Sequence, residues 1–219
     1  MPDGPGRVVD TMPLVALVGN KGGAGKTTLC VNLATALAAR APTVILDADP
    51  QRSSLQWREM AESDSAVTVL DAVDDVPAAV QDSRDGYEYV VIDCPPSVHA
   101  VQTGQVLAVC DLALIPVQPS PLDIWATVHI EEKIDEARRV NPGLRALLVI
   151  NQLEPRTRLS RLIRQGLAEL RLPVAETAIR RRVAYRSSVL EGRTVLDLGM
   201  RGGEAADEIS QLIEEVVSV

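Results

Sequence analysis

Lys21-Gly22-Gly23-Ala24-Gly25-Lys26-Thr27-Thr28 sits between a short continuous apolar run, Leu14-Val15-Ala16-Leu17-Val18, and an Ala/Leu-rich stretch from Thr27 to Ala39. The run predicts a buried strand and the stretch predicts a helix. A loop of small residues in that setting lets successive N–H groups point at phosphate oxygens. The helix that follows adds the positive end of its dipole. In this frame Lys26 reaches the β- and γ-phosphates, the Thr27 hydroxyl ligates Mg²⁺, and Thr28 lies near the α-phosphate. The usual pattern places a glycine six residues before the loop lysine. Here that position is Asn20, Gly19 stands one earlier, and Lys21 adds a second cation. The loop is therefore a variant of the phosphate-binding type.

Outward from the loop, strand-length apolar runs alternate with helical stretches. Strands are predicted at Thr43–Asp47, Val67–Leu70, Tyr89–Asp93, Leu112–Pro116 and Leu144–Ile150, with a last short one at Pro173–Ala175. Helices are predicted from Ser53 or Ser54 (either serine able to cap) through Met60, then at Val76–Asp82, Val101–Val109 and Leu122–Val140. Further helices are expected at Arg158–Leu170 and Glu204–Val217, the last with Ile209, Leu212, Ile213 and Val216 on one face. This alternation implies an α/β fold with a mostly parallel central sheet and helices on both faces. Residues 1–12 read as a flexible tail without a signal-peptide core, and residues 13–219 as a single domain.

The 219-residue chain suits one domain, and 46% of it is hydrophobic with no Phe, so Val, Leu, Ile and Ala must fill the core. Cys30, Cys94 and Cys110 show no metal-ligand spacing and are an odd number, which excludes a disulfide framework and a zinc site. No apolar run reaches membrane-spanning length. Buried reduced thiols and a cytoplasmic location follow as the expectation. The net charge of −8 argues against a general nucleic-acid binder, but its distribution is uneven. Between Arg156 and Arg201 eleven arginines face four acids. Such a segment reads either as a footprint for an anion or as ordinary solvated helix faces.

A phosphate loop needs acids to hold Mg²⁺ and order water. Asp93 ends an apolar strand, where such an acid belongs at the carboxyl edge of the sheet. Asp47 and Asp49 end the preceding strand, spaced so that both point to one side if the backbone stays extended. One could support the metal shell and the other could orient the attacking water.

Together these residues resemble the ParA/MinD family of deviant Walker A ATPases, P-loop NTPases, and within it the short ParA (ParF-like) type. The resemblance is carried by Lys21 to Thr28, Asp47-Ala48-Asp49-Pro50-Gln51, and Tyr89-Val90-Val91-Ile92-Asp93-Cys94-Pro95-Pro96. It continues through Ile115-Pro116-Val117-Gln118-Pro119-Ser120-Pro121-Leu122-Asp123, Thr177-Ala178-Ile179 and Ser188-Val189-Leu190-Glu191-Gly192.

The resemblance implies an ATPase in which Gly22, Gly23, Ala24, Gly25, Lys26, Thr27 and Thr28 bind ATP. Lys21 would be a signature lysine reaching across a homodimer to the partner's phosphates. Lys26 would serve catalysis in its own subunit. Asp49 would orient water, and Thr27, Asp47 and Asp93 would form the Mg²⁺ shell. Asn151 resembles the adenine-contacting position; a turn residue is the other reading. The ATP-bound dimer would bind double-stranded DNA without sequence preference through Arg180, Arg181, Arg182 and Arg186, with Arg156, Arg158, Arg161 and Arg164 as second choices. A ParB-like or adaptor protein would stimulate slow hydrolysis, and the cycle would position a cargo, a plasmid, a chromosome or a protein body such as a carboxysome, on the nucleoid. The acidic tail after Gly203 disfavours membrane attachment of the MinD kind. An alternative on the same fold is a biosynthetic ATPase similar to cobyrinic acid synthases or dethiobiotin synthetase. An iron–sulfur carrier is disfavoured by the absence of a Cys-x-x-Cys pair.

Overall fold

The computed structural model describes residues 13–61, 67–155, 157–167 and 169–218, without the side chains of residues 158–161 and 164. Six parallel strands form one sheet: β1 (Leu14–Leu17), β2 (Thr43–Asp47), β3 (Thr68–Asp71), β4 (Tyr89–Asp93), β5 (Leu112–Val117) and β6 (Arg145–Ile150), in the order β3-β2-β4-β1-β5-β6. The connecting helices are α1 (Lys26–Ala38), α2 (Ser53–Met60), α3 (Val76–Ser83), α4 (Val101–Val109), α5 (Pro121–Ala137), α6 (Arg158–Leu167), α7 (Val183–Leu190) and α8 (Gly203–Ser218). A 3₁₀ segment, Val195–Arg201, precedes α8.

Successive side chains of a strand point to opposite faces, and both faces of this sheet are covered. Leu14 and Ala16 of β1 join Val90 and Ile92 of β4 in the core on one face. Val15, Leu17 and Val91 join Leu29, Leu33 and Leu37 of α1 in the core on the other, closed by Ile209, Leu212 and Ile213 of α8. This is why β1, β2 and β4 read as unbroken apolar runs.

The register sets the site. Asp93 lies opposite both Asp47 of β2 and Leu17 of β1. The loop leaving β1 therefore emerges beside two carboxylates at the carboxyl edge. The chain winds from β1 toward β2 and β3, then returns through β4 and crosses to β5, so the loop stands where the strand order reverses.

Three expectations change. Neither Ser53 nor Ser54 caps α2: its N-cap is Arg52, in the left-handed region at φ 54. Pro173–Ala175 makes only an isolated bridge, Val174 to Leu148, and not a strand. Helix α7 was not anticipated, because its eight residues carry too short an apolar pattern to read. The tail, residues 1–12, lies outside the described residues. Among the described residues, no helix is long and apolar enough to cross a membrane.

Helix α1 is tied to the 3₁₀ segment by one buried amide. Asn32 is fully buried; its Nδ2 donates to the Thr28 carbonyl at 2.7 Å and its Oδ1 accepts from Val195 N–H at 2.9 Å. Replacing Asn32 by Ala leaves the Val195 N–H buried without an acceptor. The expected cost is about 1–3 kcal/mol, read as a lower urea midpoint with an unchanged slope.

Candidate nucleotide site

The loop from Gly19 to Gly25 opens into α1. Gly23 and Gly25 adopt left-handed backbone, at φ 77 and 90. A Cβ on Gly25 would stand 2.3 Å from Asn151 Nδ2, so the position accepts no side chain for two separate reasons. Three carboxamides grip the outer rim. Gln118 Nε2 donates to the Gly23 carbonyl at 2.7 Å, Gln152 Nε2 to the same carbonyl at 3.1 Å, and Asn151 Nδ2 to the Ala24 carbonyl at 2.7 Å. Holding these carbonyls on one side leaves the N–H groups of the loop available to an anion on the other. Gln152 keeps this post in a strained conformation, φ 57, of the sort that clusters at functional sites.

The two lysines of the loop have different surroundings. Lys26 is buried, its Nζ donating to the Lys21 carbonyl at 3.3 Å. Burial lowers its pKa, and Asp93, Cys94 and Asp49 pull it back up. Lys21 is half-exposed, and its Nζ lies 3.3 Å from the buried carboxylate of Asp123, in the first turn of α5.

The acids divide their work. Asp93 is fully buried; the Ser54 hydroxyl donates to its Oδ2 at 2.7 Å. Its Oδ1 is buried without a hydrogen-bond partner among the described residues. Burial pushes the Asp93 carboxyl up to about 7, against the Thr27 and Ser54 hydroxyls and the Lys26 ammonium. An orphaned carboxylate oxygen beside Thr27 and Lys26 fits a hydrated cation, because such an oxygen otherwise carries an uncompensated desolvation cost. Among the described residues no cluster of three His, Cys, Asp or Glu could cage an ion.

Asp47, expected in the metal shell, is engaged otherwise. Its Oδ1 accepts from Asp49 N–H at 3.1 Å, and its Oδ2 accepts from Ser54 and Leu55 N–H at 2.9 and 3.0 Å. It caps α2 from a distance, which is the job the serines were expected to do. Asp49 is buried at the mouth, its Oδ1 accepting from Gln51 N–H at 2.9 Å. Asn151, read as an adenine contact, spends its Nδ2 on the loop and its Oδ1 on Gln152 N–H at 2.9 Å. It holds the wall of the cleft.

Of the four arginines first chosen for DNA, Arg180, Arg181 and Arg182 lie on a segment bridged to the chain just past β6, and Arg186 follows on α7. Ile179 N–H donates to Ile150 O, and Arg181 N–H to Leu153 O. This pairing brings residues 179–182 alongside Gly25, Thr28 and Asn151, lining a cleft at the start of α1. Arg182 pairs with Glu208 at 2.7 Å and Glu204 at 2.6 Å, Arg181 with Glu154 at 2.7 Å, and Arg180 with Glu208 at 3.7 Å. Only Arg186 of the four has no carboxylate partner among the described residues. Of the second choices, Arg156 and the side chains of Arg158, Arg161 and Arg164 lie outside the described residues. Gln118, Gln152, Asp123 and Glu208 were given no role from sequence, and Ser54 only that of a helix cap. For Gln118 and Gln152 the available signal was position, each lying just past the end of a central strand.

The chain matches the family model described as the CobQ/CobB/MinD/ParA nucleotide binding domain over residues 15–195. It is 42% identical to maintenance of carboxysome distribution protein A of Halothiobacillus neapolitanus, covering 93% of this chain and 95% of that one. It is 33% identical to the protein of the same name from Gloeobacter kilaueensis, over 93% of each. Among solved structures, apo McdA of Cyanothece aligns at TM-score 0.79 and 16% identity, over 94% of this chain and 99% of that one. A cobyrinic acid a,c-diamide synthase of Mycobacterium smegmatis aligns at TM-score 0.65 and 22% identity, over 81% of this chain and 92% of that one.

The Asp93 carboxyl titrates near 3.8 when unfolded and at about 7 when folded. The folded state thus binds the proton more tightly. The contribution to stability is whole below 3.8 and is lost as pH rises through about 7. Asn cannot titrate, so Asp93→Asn should flatten the pH dependence of Tm across that window. Above pH 7 it should melt higher than the parent.

Proposed function

This chain belongs to the CobQ/CobB/MinD/ParA nucleotide-binding family, and on that footing we propose that it is a Mg²⁺-dependent ATPase of the ParA type. It closes as a homodimer over two ATP molecules, binds duplex DNA without sequence preference, and distributes a cargo on the nucleoid. The near full-length similarity to proteins named for carboxysome distribution favours a protein body as that cargo.

The observation that carries this reading is the pair of lysines in one loop. Lys26 is buried over its own loop, where it can neutralise phosphate charge in its own subunit. Lys21 stands half-exposed at the rim, held by Asp123. A second cation there serves a nucleotide in a facing copy. It adds positive charge where negative charge builds during phosphoryl transfer. The N–H groups of Gly22 to Thr28 cradle phosphates, and the N-terminus of α1 favours the anion. Thr27 and Asp93 would hold Mg²⁺ and its water, and the ion would supply positive charge that offsets that of the phosphates. Asp49, at the mouth and already oriented by Gln51 N–H, accepts a hydrogen bond from the attacking water.

DNA contact falls to the exposed arginines at the rim of the cleft. Arg186 is exposed, and among the described residues Arg181 pairs only with the exposed Glu154. Contacts of this kind are to phosphates and weaken steeply with salt. An adaptor protein that speeds hydrolysis would release the dimer from DNA and reset the cycle. The biosynthetic alternative has weaker support, since its structural counterpart covers less of the chain than the McdA structure does.

Two substitutions separate the roles. Lys21→Ala should remain a folded monomer that fails to dimerise with ATP and Mg²⁺ in analytical ultracentrifugation. Asp49→Ala should dimerise with ATP, stay on duplex DNA, and hydrolyse at least about 100-fold more slowly. A parent protein that hydrolyses ATP yet never binds nonspecific duplex DNA at moderate salt contradicts the positioning role.

A further inference from the structure

Ser54, in the first turn of α2, is fully buried between two carboxylates that are themselves fully buried. Its N–H donates to Asp47 Oδ2 at 2.9 Å, and its hydroxyl donates to Asp93 Oδ2 at 2.7 Å. Asp47 and Asp93 stand opposite each other in the register of β2 and β4, so one residue grips two neighbouring strand ends. The other oxygen of Asp47 accepts from Asp49 N–H at 3.1 Å. Ala48 N–H, in between, donates to the Asp93 carbonyl at 2.9 Å. The loop that carries Asp49 is therefore tied to Asp93 twice, once through the backbone and once through Asp47 and Ser54. Arg52 bears the turn that returns the chain onto this edge, in the left-handed region at φ 54, where a side chain is disfavoured.

The two bonds of Ser54 do different things. The N–H bond to Asp47 starts a helix, and any residue but proline could make it. The hydroxyl bond needs this side chain. An ionised carboxylate only accepts, and its two oxygens exchange by rotation about a broad last torsion. A directional bond to one oxygen removes that equivalence. Asp93 then keeps Oδ1, buried and without a partner among the described residues, as its free oxygen.

Resting on the reading that Asp93 serves the Mg²⁺ shell, we infer that Ser54 is a positioning residue for that cation. It acts through Asp93 and not on the nucleotide. Its hydroxyl fixes which Asp93 oxygen is left for the cation, and its backbone ties that choice to the loop of Asp49. The acid for the metal shell and the acid for the attacking water thereby share one anchor.

The test separates metal from nucleotide. ADP binding is measured by titration calorimetry on the full chain, in EDTA and in excess Mg²⁺, and the ratio of the two affinities is the gain due to metal. Ser54→Ala deletes the hydroxyl and keeps the N–H bond to Asp47. It should bind ADP in EDTA within about twofold of the parent and lose about tenfold or more of the Mg²⁺ gain. Trp57→Phe, which loosens α2 by removing the bond to the Arg193 carbonyl, should keep the gain. On an Asp93→Asn background Ser54→Ala should cost no further gain, since both act through one group. A full gain in Ser54→Ala overturns the inference. So does an equal loss in Trp57→Phe, which assigns the effect to helix packing, or a further loss in the double variant. If Ser54→Ala does not fold, Ser54→Cys carries the test, because a thiol is a weak donor. Its gain should fall, and a gain equal to the parent's overturns the inference. A parent whose ADP affinity is the same with and without Mg²⁺ contradicts the metal reading itself, a result distinct from the others.

Discussion

Three carboxamides hold the carbonyls of Gly23 and Ala24, and the candidate site depends on that grip. A loop of small residues has little side-chain packing to keep it open, and its glycines are the residues with most conformational freedom to lose. Gln118 comes from the end of β5, and Asn151 and Gln152 from the end of β6. The loop's shape is therefore tied to strands that are themselves buried on both faces. The pre-set loop can meet phosphate oxygens without first being ordered, which is the physical content of preorganisation here.

Behind the loop, the sheet edge concentrates negative charge where a folded protein would not otherwise place it. Asp47 and Asp93 are adjacent in register and both fully buried. Asp47 is compensated by three backbone N–H groups, and in return it fixes the start of α2. Asp93 has a hydrogen-bond partner on only one oxygen among the described residues. An unsatisfied buried oxygen carries a desolvation cost that a bound ligand can offset.

Helix α2 links this edge to the far side of the molecule. Its first turn rests on Asp47 and Asp93, while Trp57 Nε1 donates to the Arg193 carbonyl at 3.3 Å. The turn after α7 meets its last residue so closely that a Cβ at Gly192 would stand 2.3 Å from the Met60 backbone carbonyl carbon. The acids of the site and the arginine-bearing α7 are thus joined through one short helix.

Much of the fold was legible in the chain itself. Thr43–Asp47, Tyr89–Asp93 and Val101–Val109 fall at the bounds their apolar patterns predict, since strands buried on both faces read as continuous runs. The phosphate loop, its two lysines and the acids at strand ends were legible too, because their chemistry is local: small residues, a lysine and a hydroxyl at fixed spacing. Helix α7 and the cap of α2 were not, since one is short and the other is made by a residue six positions before the helix begins. Roles set by a distant partner were equally hidden. Sequence could count the arginines near residue 180, but only the packing of α8 against that segment pairs Arg182 with Glu208, 26 residues on. The sequence by itself determined which groups can bind a phosphate. The tertiary structure decided which of them are already occupied, because hydrogen-bond capacity is a property of a residue and its use is a property of its neighbours.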